Sequence, residues 1–235
     1  MRTSQLIVAV VAVLLVAVMA CQKAEVVPSP ASFTVVNAMP DVNSIIPRLG
    51  KDTSGRYFNI MVQVGYGSSQ LYSPVAGTNP LIVAPSTDTS SKVFNGTFSL
   101  VSGGIYSFFL SGDATHPDTL LVKDNIPNYT DSSAGIRFVN LTSGGKALSI
   151  SFLNDLAHTE VPSLVYKQIT DFKKYDASTN VGGSYTFEIR DQATGDSLTT
   201  YTWYYPVFKN NTIVIAGSTD PTSSTPLNVF SVNNY

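Results

Sequence analysis

The feature that most constrains the fold of this chain is an internal repeat of about 105 residues. The segment ASFTVVNAMPDVNSI (Ala31–Ile45) is similar to AGIRFVNLTSGGKALSI (Ala134–Ile150), and later segments of both copies close on Asn-Tyr. Matching offsets at the start and the end predict two copies of one unit, Ser32–Tyr129 and Ala134–Tyr235, joined by TDSS. Two copies are too few for a solenoid, so we expect each copy to have its own core.

Each copy consists of short apolar or alternating runs separated by turn residues. Such runs predict strands, and the breaks between them contain Gly, Asp, Asn, Ser or Pro. Charged residues make up only 13% of the chain, against about 25% in typical soluble proteins, and Ser, Thr and Asn supply the polarity. We therefore predict an all-β fold of two tandem immunoglobulin-like β-sandwich repeats, each of about 100 residues. The strands predicted in the first copy are SFTVVNA (Ser32–Ala38), YFNIMVQV (Tyr57–Val64), NPLIVAPS (Asn79–Ser86), VFNGTFSLV (Val93–Val101), IYSFFLSG (Ile105–Gly112) and DTLLVKDN (Asp118–Asn125).

The N-terminal segment has the pattern of a lipoprotein signal peptide. Its apolar run, Leu6–Ala20, would form a helix about 22 Å long, which is short of a hydrocarbon core about 30 Å thick. Arg2 precedes the run and small residues end it, as in secretion signals. The exit Val18-Met19-Ala20-Cys21 resembles the bacterial lipobox. That resemblance implies that residues 1–20 are removed and that Cys21 carries acyl chains such as palmitate.

Cysteine usage favours lipidation over the alternative of an idle thiol in a discarded peptide. Cys21 is the only cysteine, whereas a secreted protein held by disulfides would contain several. Two or more acyl chains give stable membrane anchoring. Gln22 follows the cysteine; in the familiar sorting rule an Asp there retains lipoproteins at the inner membrane, so the outer membrane is predicted and the leaflet stays open. Residues 21–31, with two prolines, are interpreted as a tether.

The openings of both copies resemble a bacterial family catalogued as domain of unknown function 4397. The resemblance extends over essentially the whole mature chain, although copy two lacks the Pro-Asp pair and has Asn211 and Thr212 where copy one has Ile105 and Tyr106. It implies a β-sandwich on an exported, often lipid-anchored protein, commonly from Bacteroidetes-type bacteria, with no enzyme activity and no catalytic residues. The residues that carry it are Val35, Val36, Asn37, Ala38, Pro40, Asp41, Gly104, Ile105 and Tyr106 in copy one and Phe138, Val139 and Asn140 in copy two.

Motifs for catalysis, metals or nucleic acid are weak. The net charge is −2, without the basic field that nucleic acid requires. Asp113, His116 and Asp118 could face one cation, but all three suit a turn, and no metal or cofactor is predicted. The repeats contain two glutamates, Glu160 and Glu188, and no carboxylate pair for glycoside hydrolysis stands out.

The segment TTYTWYYPVF has the composition of a binding strand. Period-two alternation places Tyr201, Trp203 and Tyr205 on one face, where aromatic rings can stack on sugars. The alternative is a core strand, because aligning the two copies lays Trp203 on Phe98 and Tyr205 on Leu100. A single tryptophan in a sandwich usually packs inside, so the core is favoured and the three residues are retained as a candidate ligand site.

Together these patterns predict a non-catalytic, lipid-anchored cell-envelope protein that acts as a binding or structural module. Its predicted partners are the membrane, through the acyl chains on Cys21, and a glycan or an envelope protein. One alternative is a glycan-binding accessory lipoprotein of a polysaccharide uptake system, which requires an exposed Trp203. The other is an extracytoplasmic hydrolase, which requires converging carboxylates.

Overall fold

The computed structural model of the protein describes residues 29–50, 62–178, 183–204 and 209–234. The predicted signal peptide, Cys21 and most of the tether lie outside the described residues, as does Tyr205. Every regular element in these ranges is a β-strand, and none of the described residues forms a helix long and apolar enough to cross a membrane.

Unit 1 and unit 2 each form two four-stranded sheets. The strands of unit 1 are β1 (Ser32–Asn37), β2 (Ser44–Leu49), β3 (Val64–Gly65), β4 (Ser68–Tyr72), β5 (Gly77–Pro85), β6 (Phe94–Leu100), β7 (Ile105–Gly112) and β8 (Pro117–Lys123). The strands of unit 2 are β9 (Ser133–Ser143), β10 (Leu148–Phe152), β11 (Asp155–Leu164), β12 (Lys173–Asp176), β13 (Ser184–Asp191), β14 (Ser197–Tyr204), β15 (Asn210–Ser218) and β16 (Asn228–Asn233).

The two units share one topology. The inner sheets, which face each other, have the orders β4-β1-β7-β8 and β12-β9-β15-β16, and the outer sheets have the orders β3-β2-β5-β6 and β11-β10-β13-β14. In both units the first and seventh strands pair in parallel, and the remaining pairs are antiparallel. This arrangement confirms the predicted class of two tandem β-sandwiches.

A buried asparagine fixes the same corner in each unit. Asn37 donates from Nδ2 to the carbonyls of Val42 at 3.0 Å and Val64 at 3.2 Å. Asn140 donates in the same way to Lys146 at 2.9 Å and Leu164 at 2.8 Å. Both side-chain oxygens also accept a backbone N–H two residues further along the chain. Because buried carbonyls need partners, this amide holds the turn between the inner and outer sheets.

Each unit has its own apolar core between its two sheets. The core of unit 1 includes Phe33, Val35, Leu81 and Phe108, and the core of unit 2 is a separate cluster. The inner strands carry consecutive apolar residues instead of a strict alternation, so their opposite face is buried as well.

The outward faces of the two inner sheets pack against each other and form a third apolar cluster. Equivalent strands of both units supply it, which is the arrangement of an isologous dimer interface within one chain. The molecule is therefore a stack of four sheets, and its two inner sheet faces are occupied. The buried members of the cluster are Val36, Ala38 and Phe109 from unit 1 and Val139, Leu141, Val214, Ala216 and Val232 from unit 2.

A buried ion pair crosses this interface. Arg137 Nη2 of unit 2 lies 2.7 Å from Asp124 Oδ1 of unit 1, and the two side chains are 4% and 1% exposed. Arg137 Nε donates to Thr212 Oγ1 at 2.8 Å, and Ser107 Oγ donates to Asp124 Oδ2 at 2.7 Å. Burial lowers the pKa of the Arg137 guanidinium, and Asp124 opposes that shift. The guanidinium also lies 4.5 Å from the centre of the Phe172 ring, so this charge is enclosed on several sides.

Candidate functional site

Trp203 is a core residue, as the alignment of the two copies favoured, and the alternative of an exposed aromatic platform is wrong for it. This residue is 2% exposed and belongs to the core of unit 2, where its indole Nε1 donates to Asn211 Oδ1 at 3.2 Å. Tyr201, on the same face of β14, packs half-buried against that core. The alternation was read correctly, but this face of the strand points inward because it meets the inner sheet of unit 2. Tyr204, on the opposite face, is 76% exposed.

The acidic loop considered for a cation is a turn. Asp113 Oδ1 accepts the backbone N–H groups of Thr115 at 2.8 Å and His116 at 2.7 Å, and the His116 side chain is 87% exposed. Asp118 instead accepts from Tyr166 Oη at 3.0 Å and from Lys167 Nζ at 2.7 Å, both in unit 2. No three metal-ligating side chains cluster anywhere in the described part of the chain.

The two glutamates of the repeats do not converge. Glu160 accepts from Tyr175 Oη at 2.6 Å and from Lys173 Nζ at 2.7 Å, which directs it toward the inner sheet. Glu188 lies between the core residues Phe187 and Ile189 in sequence, so its side chain points to the opposite face of the outer sheet.

The outer face of unit 2 is a polar surface. We use this name for the side chains of the outer sheet that alternate with its core residues. Thr186 and Thr202 lie opposite each other on neighbouring strands, with their hydroxyl oxygens 3.0 Å apart. The face consists of Ser149 and Ser151 on β10, Thr186, Glu188 and Arg190 on β13, and Thr200, Thr202 and Tyr204 on β14.

A groove of about 350 Å³ lies at one end of this face. We call it the outer-face groove. Ser151 is 4% exposed, and its Oγ has no hydrogen-bond partner among the described residues. The groove is lined mainly by Ser149, Ser151, Thr159, Pro162, Arg190 and Gln192.

Arg190 is held in a fixed position at the groove. Its Nη1 donates to the Gly195 carbonyl at 2.6 Å and its Nη2 to Glu188 Oε2 at 2.7 Å. Its Nε is buried without a partner in the described part of the chain. Hydrogen bonds from Ser197 and then from Arg190 lower the pKa of Glu188, so Glu188 is ionised at neutral pH and balances the guanidinium charge.

The equivalent face of unit 1 is different in character. Ile46 and Ala84 point away from the core of unit 1, yet they are only 6% and 2% exposed. Ile82 and Pro80 continue this apolar row along β5. Arg48 also lies on this face, opposite Ile82, and its Nε is buried without a partner among the described residues. Only unit 2 places a carboxylate beside such a guanidinium on the described part of its outer sheet.

A second cleft, of about 560 Å³, lies between the loops β9–β10 and β15–β16. Its charged groups already have partners: Lys146 Nζ lies 2.7 Å from Asp191 Oδ2, and Asp220 Oδ1 accepts from Thr222 N at 2.9 Å and Oγ1 at 2.8 Å. The outer-face groove is the stronger candidate, because strands hold most of its lining, whereas loops form the second cleft. Sequence reasoning missed it, since Ser151 and Arg190 belong to no motif.

Comparisons with known proteins do not assign this chain to a family. No protein-family model matches the sequence, and no curated protein matches it. The resemblance to the domain of unknown function 4397 family therefore stays an interpretation of the sequence.

Solved structures give distant likenesses. A family 26 carbohydrate-binding module of Eubacterium rectale, solved with maltoheptaose, has 11% identity and a TM-score of 0.27, and the match covers 86% of this chain and 97% of the module. A streptococcal virulence factor that binds alpha-glucan has 10% identity and a TM-score of 0.26, with 85% and 96% covered. A candidate adhesin of Bacteroides ovatus has 10% identity and a TM-score of 0.24, with 88% and 95% covered. At these TM-scores the likeness carries no inference about what this chain binds.

Proposed function

We propose that this protein is a non-catalytic, lipid-anchored binding module of the bacterial cell envelope, and that it binds through the outer face of unit 2. The observation that carries the proposal is the division of surfaces in the four-sheet stack. The contact between the units buries the faces of the two inner sheets that point away from their own cores. The outer face of unit 2 instead contains an open polar groove. A rigid sheet supports such a site with little reorganisation on binding.

The anchor rests on the sequence. Cys21 ends the apolar run Leu6–Ala20 in a lipobox-like setting, and two or more acyl chains hold a protein stably at a bilayer. Gln22 at the next position favours the outer membrane over the inner membrane.

The positions of the two glutamates of the repeats argue against a hydrolase that uses them as its carboxylate pair. Glu160 and Glu188 lie on opposite faces of one sheet. Each forms an ion pair, Glu160 with Lys173 and Glu188 with Arg190. Glycoside hydrolysis needs two carboxyl groups on either side of one bond, about 5–9.5 Å apart. The hydrolase alternative therefore has no support from these two residues.

Glycan binding is the second candidate, and Tyr204 favours it. This ring replaces Trp203 as the exposed aromatic group of β14, and Thr200 and Thr202 extend from it along the same face. An exposed ring beside a row of hydroxyl groups is suited to a sugar, because the ring can stack while the hydroxyl groups form hydrogen bonds.

The anchor is tested by replacing the cysteine. Cys21→Ser should abolish incorporation of an alkynyl fatty acid and move the protein out of the membrane fraction. Incorporation that persists in Cys21→Ser would exclude lipidation at this residue.

The binding face is tested by introducing a bulky charged side chain on it. The full chain in detergent is applied to an array of glycans, peptidoglycan fragments and lipopolysaccharide. Thr200→Arg adds a bulky cation at an exposed position of the outer face of unit 2 and should abolish retention. The matched control Thr97→Arg, at an exposed position of β6 in unit 1, should bind as the wild type does. Retention unaffected by Thr200→Arg, or turnover of chromogenic esters or glycosides, would overturn the proposal.

A further inference from the structure

We propose that one end of the four-sheet stack docks on the surface of the lipid bilayer, through exposed apolar side chains at the end where the N-terminal tether meets unit 1. The docking rests on the proposed function, since it requires the acyl anchor at Cys21. It uses a second surface, at the ends of the strands, and leaves the polar groove of unit 2 free to bind a ligand.

The two units point in the same direction, so the stack has two distinct ends. Asn210, the first residue of β15, donates from Nδ2 to the carbonyl of Pro127, which follows β8, at 2.8 Å. Asp118, near the start of β8, accepts from Nζ of Lys167, which follows β11, at 2.7 Å. The strands β1 and β9 therefore begin at one end, which we call the anchor end, and the loops β1–β2 and β9–β10 lie at the opposite, far end.

The chain enters unit 1 beside two exposed valines of the anchor end. Pro30 forms a β-bridge with Val75, and the carbonyl of Pro30 accepts the N–H of Gly103, two residues after Val101, at 3.2 Å. Nine residue steps separate Pro30 from Cys21, and they span at most about 32 Å. An acylated Cys21 therefore keeps this end of unit 1 close to the bilayer.

Exposed apolar side chains are concentrated at the anchor end. Single exposed apolar residues are ordinary on protein surfaces, but several at one place mark an interaction site. Among the described residues six large apolar side chains are exposed, and four of them lie at this end. Because stacked sheets are about 10 Å apart, the end of a four-sheet stack is about 30 Å wide, which suits a flat bilayer better than a small ligand. The four are Val75 in the loop β4–β5, Val101 in the loop β6–β7, Leu153 in the turn β10–β11, and Tyr204 at the end of β14.

The charges of the two ends agree with this orientation. Anionic lipids attract basic groups and repel acidic ones. The eight residues of β7 place the two ends about 26 Å apart, well beyond the Debye length of about 8 Å at physiological salt. A bilayer at the anchor end is therefore remote from the acidic far end. The described far end contains Asp41, Asp88, Asp113, Asp191, Asp196 and Asp220, which outnumber its lysines. At the anchor end, the exposed or half-exposed Asp131, Asp155 and Asp176 are balanced by Lys123, Lys174 and Lys209.

The polar groups beside the apolar side chains also suit a bilayer surface. Tyr204 is 76% exposed, and tyrosine is enriched at membrane interfaces because its ring is apolar and its hydroxyl polar. Lys123 at the end of β8 and Lys209 just before β15 are exposed, so their ammonium groups can pair with lipid phosphates. Tyr204 is also the ring that the glycan alternative uses, so it stays unchanged in the test.

The test uses the lipidated full chain in vesicles of phosphatidylethanolamine and phosphatidylglycerol, some of whose acyl chains carry a nitroxide quencher. Cys21 is the only cysteine and its sulfur forms a thioether when acylated, so an introduced cysteine supplies the only free thiol. A bimane fluorophore is attached at Ser73→Cys, in the loop β4–β5, or at Thr87→Cys, at the far end; both positions are exposed. The nitroxide should quench the label at position 73 and leave the label at position 87 unquenched.

Serine replacements test the apolar side chains themselves. Val75→Ser, Val101→Ser and Leu153→Ser together should abolish quenching of the label at position 73, because burial of their apolar surface in lipid no longer stabilises the docked state. The matched control Val165→Ser replaces a valine that is 51% exposed at the far end and should leave the quenching unchanged. All four positions are exposed, so the variants should stay folded, which circular dichroism checks.

Equal quenching at the two label positions, or quenching at position 73 that persists in the triple variant, would overturn the docking. If neither label is quenched although Cys21 incorporates the fatty acid and Thr200→Arg abolishes retention on the array, the proposed function stands and only the docking fails. If Cys21 incorporates no fatty acid, the anchor fails and the docking fails with it.

Discussion

The two units have one topology and fill their cores differently. Unit 1 packs four phenylalanine rings, Phe33, Phe94, Phe98 and Phe108, with centroids 4.9–5.9 Å apart. Unit 2 combines phenylalanine rings with buried rings that carry polar atoms: Trp203 donates to Asn211, and Tyr175 donates to Glu160. Apolar rings need only volume and shape, whereas buried tyrosine and tryptophan usually have a hydrogen-bond partner.

The repeat is strongest where a side chain fixes the backbone. Asn37 and Asn140 make the same set of hydrogen bonds. Gly112 ends β7, and Gly217 is the second-last residue of the equivalent strand β15. Core positions differ between the units because many combinations of side chains fill one volume. The comparison teaches that turns and corners specify the common topology, while packing and surface chemistry separate the units.

The largest expected effect is from removing the central ring of the core of unit 2. Trp203→Ala should lower the free energy of unfolding by about 3–5 kcal/mol, since it leaves a cavity and removes a donor from Asn211. Phe98→Ala, on the equivalent strand of unit 1, should cost less because Phe98 is only partly buried. Denaturant unfolding followed by circular dichroism measures both changes. Wild-type tryptophan emission should be blue-shifted; emission typical of indole in water would contradict the burial.

The buried ion pair gives the next largest effect. Asp124 in unit 1 and Asn234 in unit 2 occupy equivalent positions. Asp124 accepts a hydrogen bond from Ser107 Oγ, and Asn234 accepts one from Thr212 Oγ1. Asp124→Asn should cost about 3 kcal/mol, because the Arg137 charge is left unpaired in a buried place. Thr34 is the counterpart of Arg137 in unit 1, since Asn37 and Asn140 each lie three residues further along.

Combining Asp124→Asn with Arg137→Thr tests the ion pair. The double variant has at each position the residue of the other unit, asparagine as at Asn234 and threonine as at Thr34. Unfolding experiments on the two single variants and the double variant give the coupling energy. The double variant should regain much of the loss caused by Asp124→Asn. If the losses of unfolding free energy in the two single variants add up to that of the double variant, the ion pair does not couple the units.

Glycine replacement should have a smaller effect that is equal in the two units. Gly112 has φ 77° and Gly217 has φ 88°, and a Cβ at either would lie 2.3 Å from a backbone carbonyl oxygen, that of His116 or Pro226. Gly112→Ala and Gly217→Ala should each cost about 1–2 kcal/mol for the left-handed conformation alone, plus the displacement of the carbonyl. Thermal unfolding compares the two variants. Clearly unequal costs would show that the two strand ends are not equivalent.

The smallest effect at neutral pH is expected at Tyr72 in unit 1. Its hydroxyl is buried and has no partner among the described residues, and burial raises its pKa to about 12. Tyr72→Phe should therefore change stability by less than about 0.5 kcal/mol at pH 7.

Alkaline pH separates Tyr72→Phe from the wild type. The folded state favours the protonated phenol, so the wild type should lose stability as the pH rises from about 10, the ordinary tyrosine pKa, toward about 12. Tyr72→Phe should lose less over this window in denaturant unfolding, and parallel profiles would show that Tyr72 is not responsible. Tyr175→Phe in unit 2 should instead be destabilised at pH 7, because Glu160 loses a donor.

Local pattern was sufficient for the strands whose residues are apolar or alternate. IYSFFLSG was predicted at Ile105–Gly112, which are the bounds of β7. The pattern missed β2, which contains Pro47, and β4, which is mostly polar. Pro47 is tolerated because β3 pairs only with Ser44 and Ile45, so the ladder on that side of β2 ends before the proline in the described structure.

The sequence by itself determined the all-β class, the two copies and the alternation of side chains along β14. Period-two alternation is the same for either choice of inward face, and only the alignment of the two copies favoured the face of Trp203. The tertiary structure confirmed that Trp203 is buried and showed that Tyr204 is exposed. It also decided that the inner sheets pack on each other and that Ser151 and Arg190 meet at one groove. Such contacts join residues far apart in the chain, and their geometry is set by strand pairing and sheet packing, which no local pattern records.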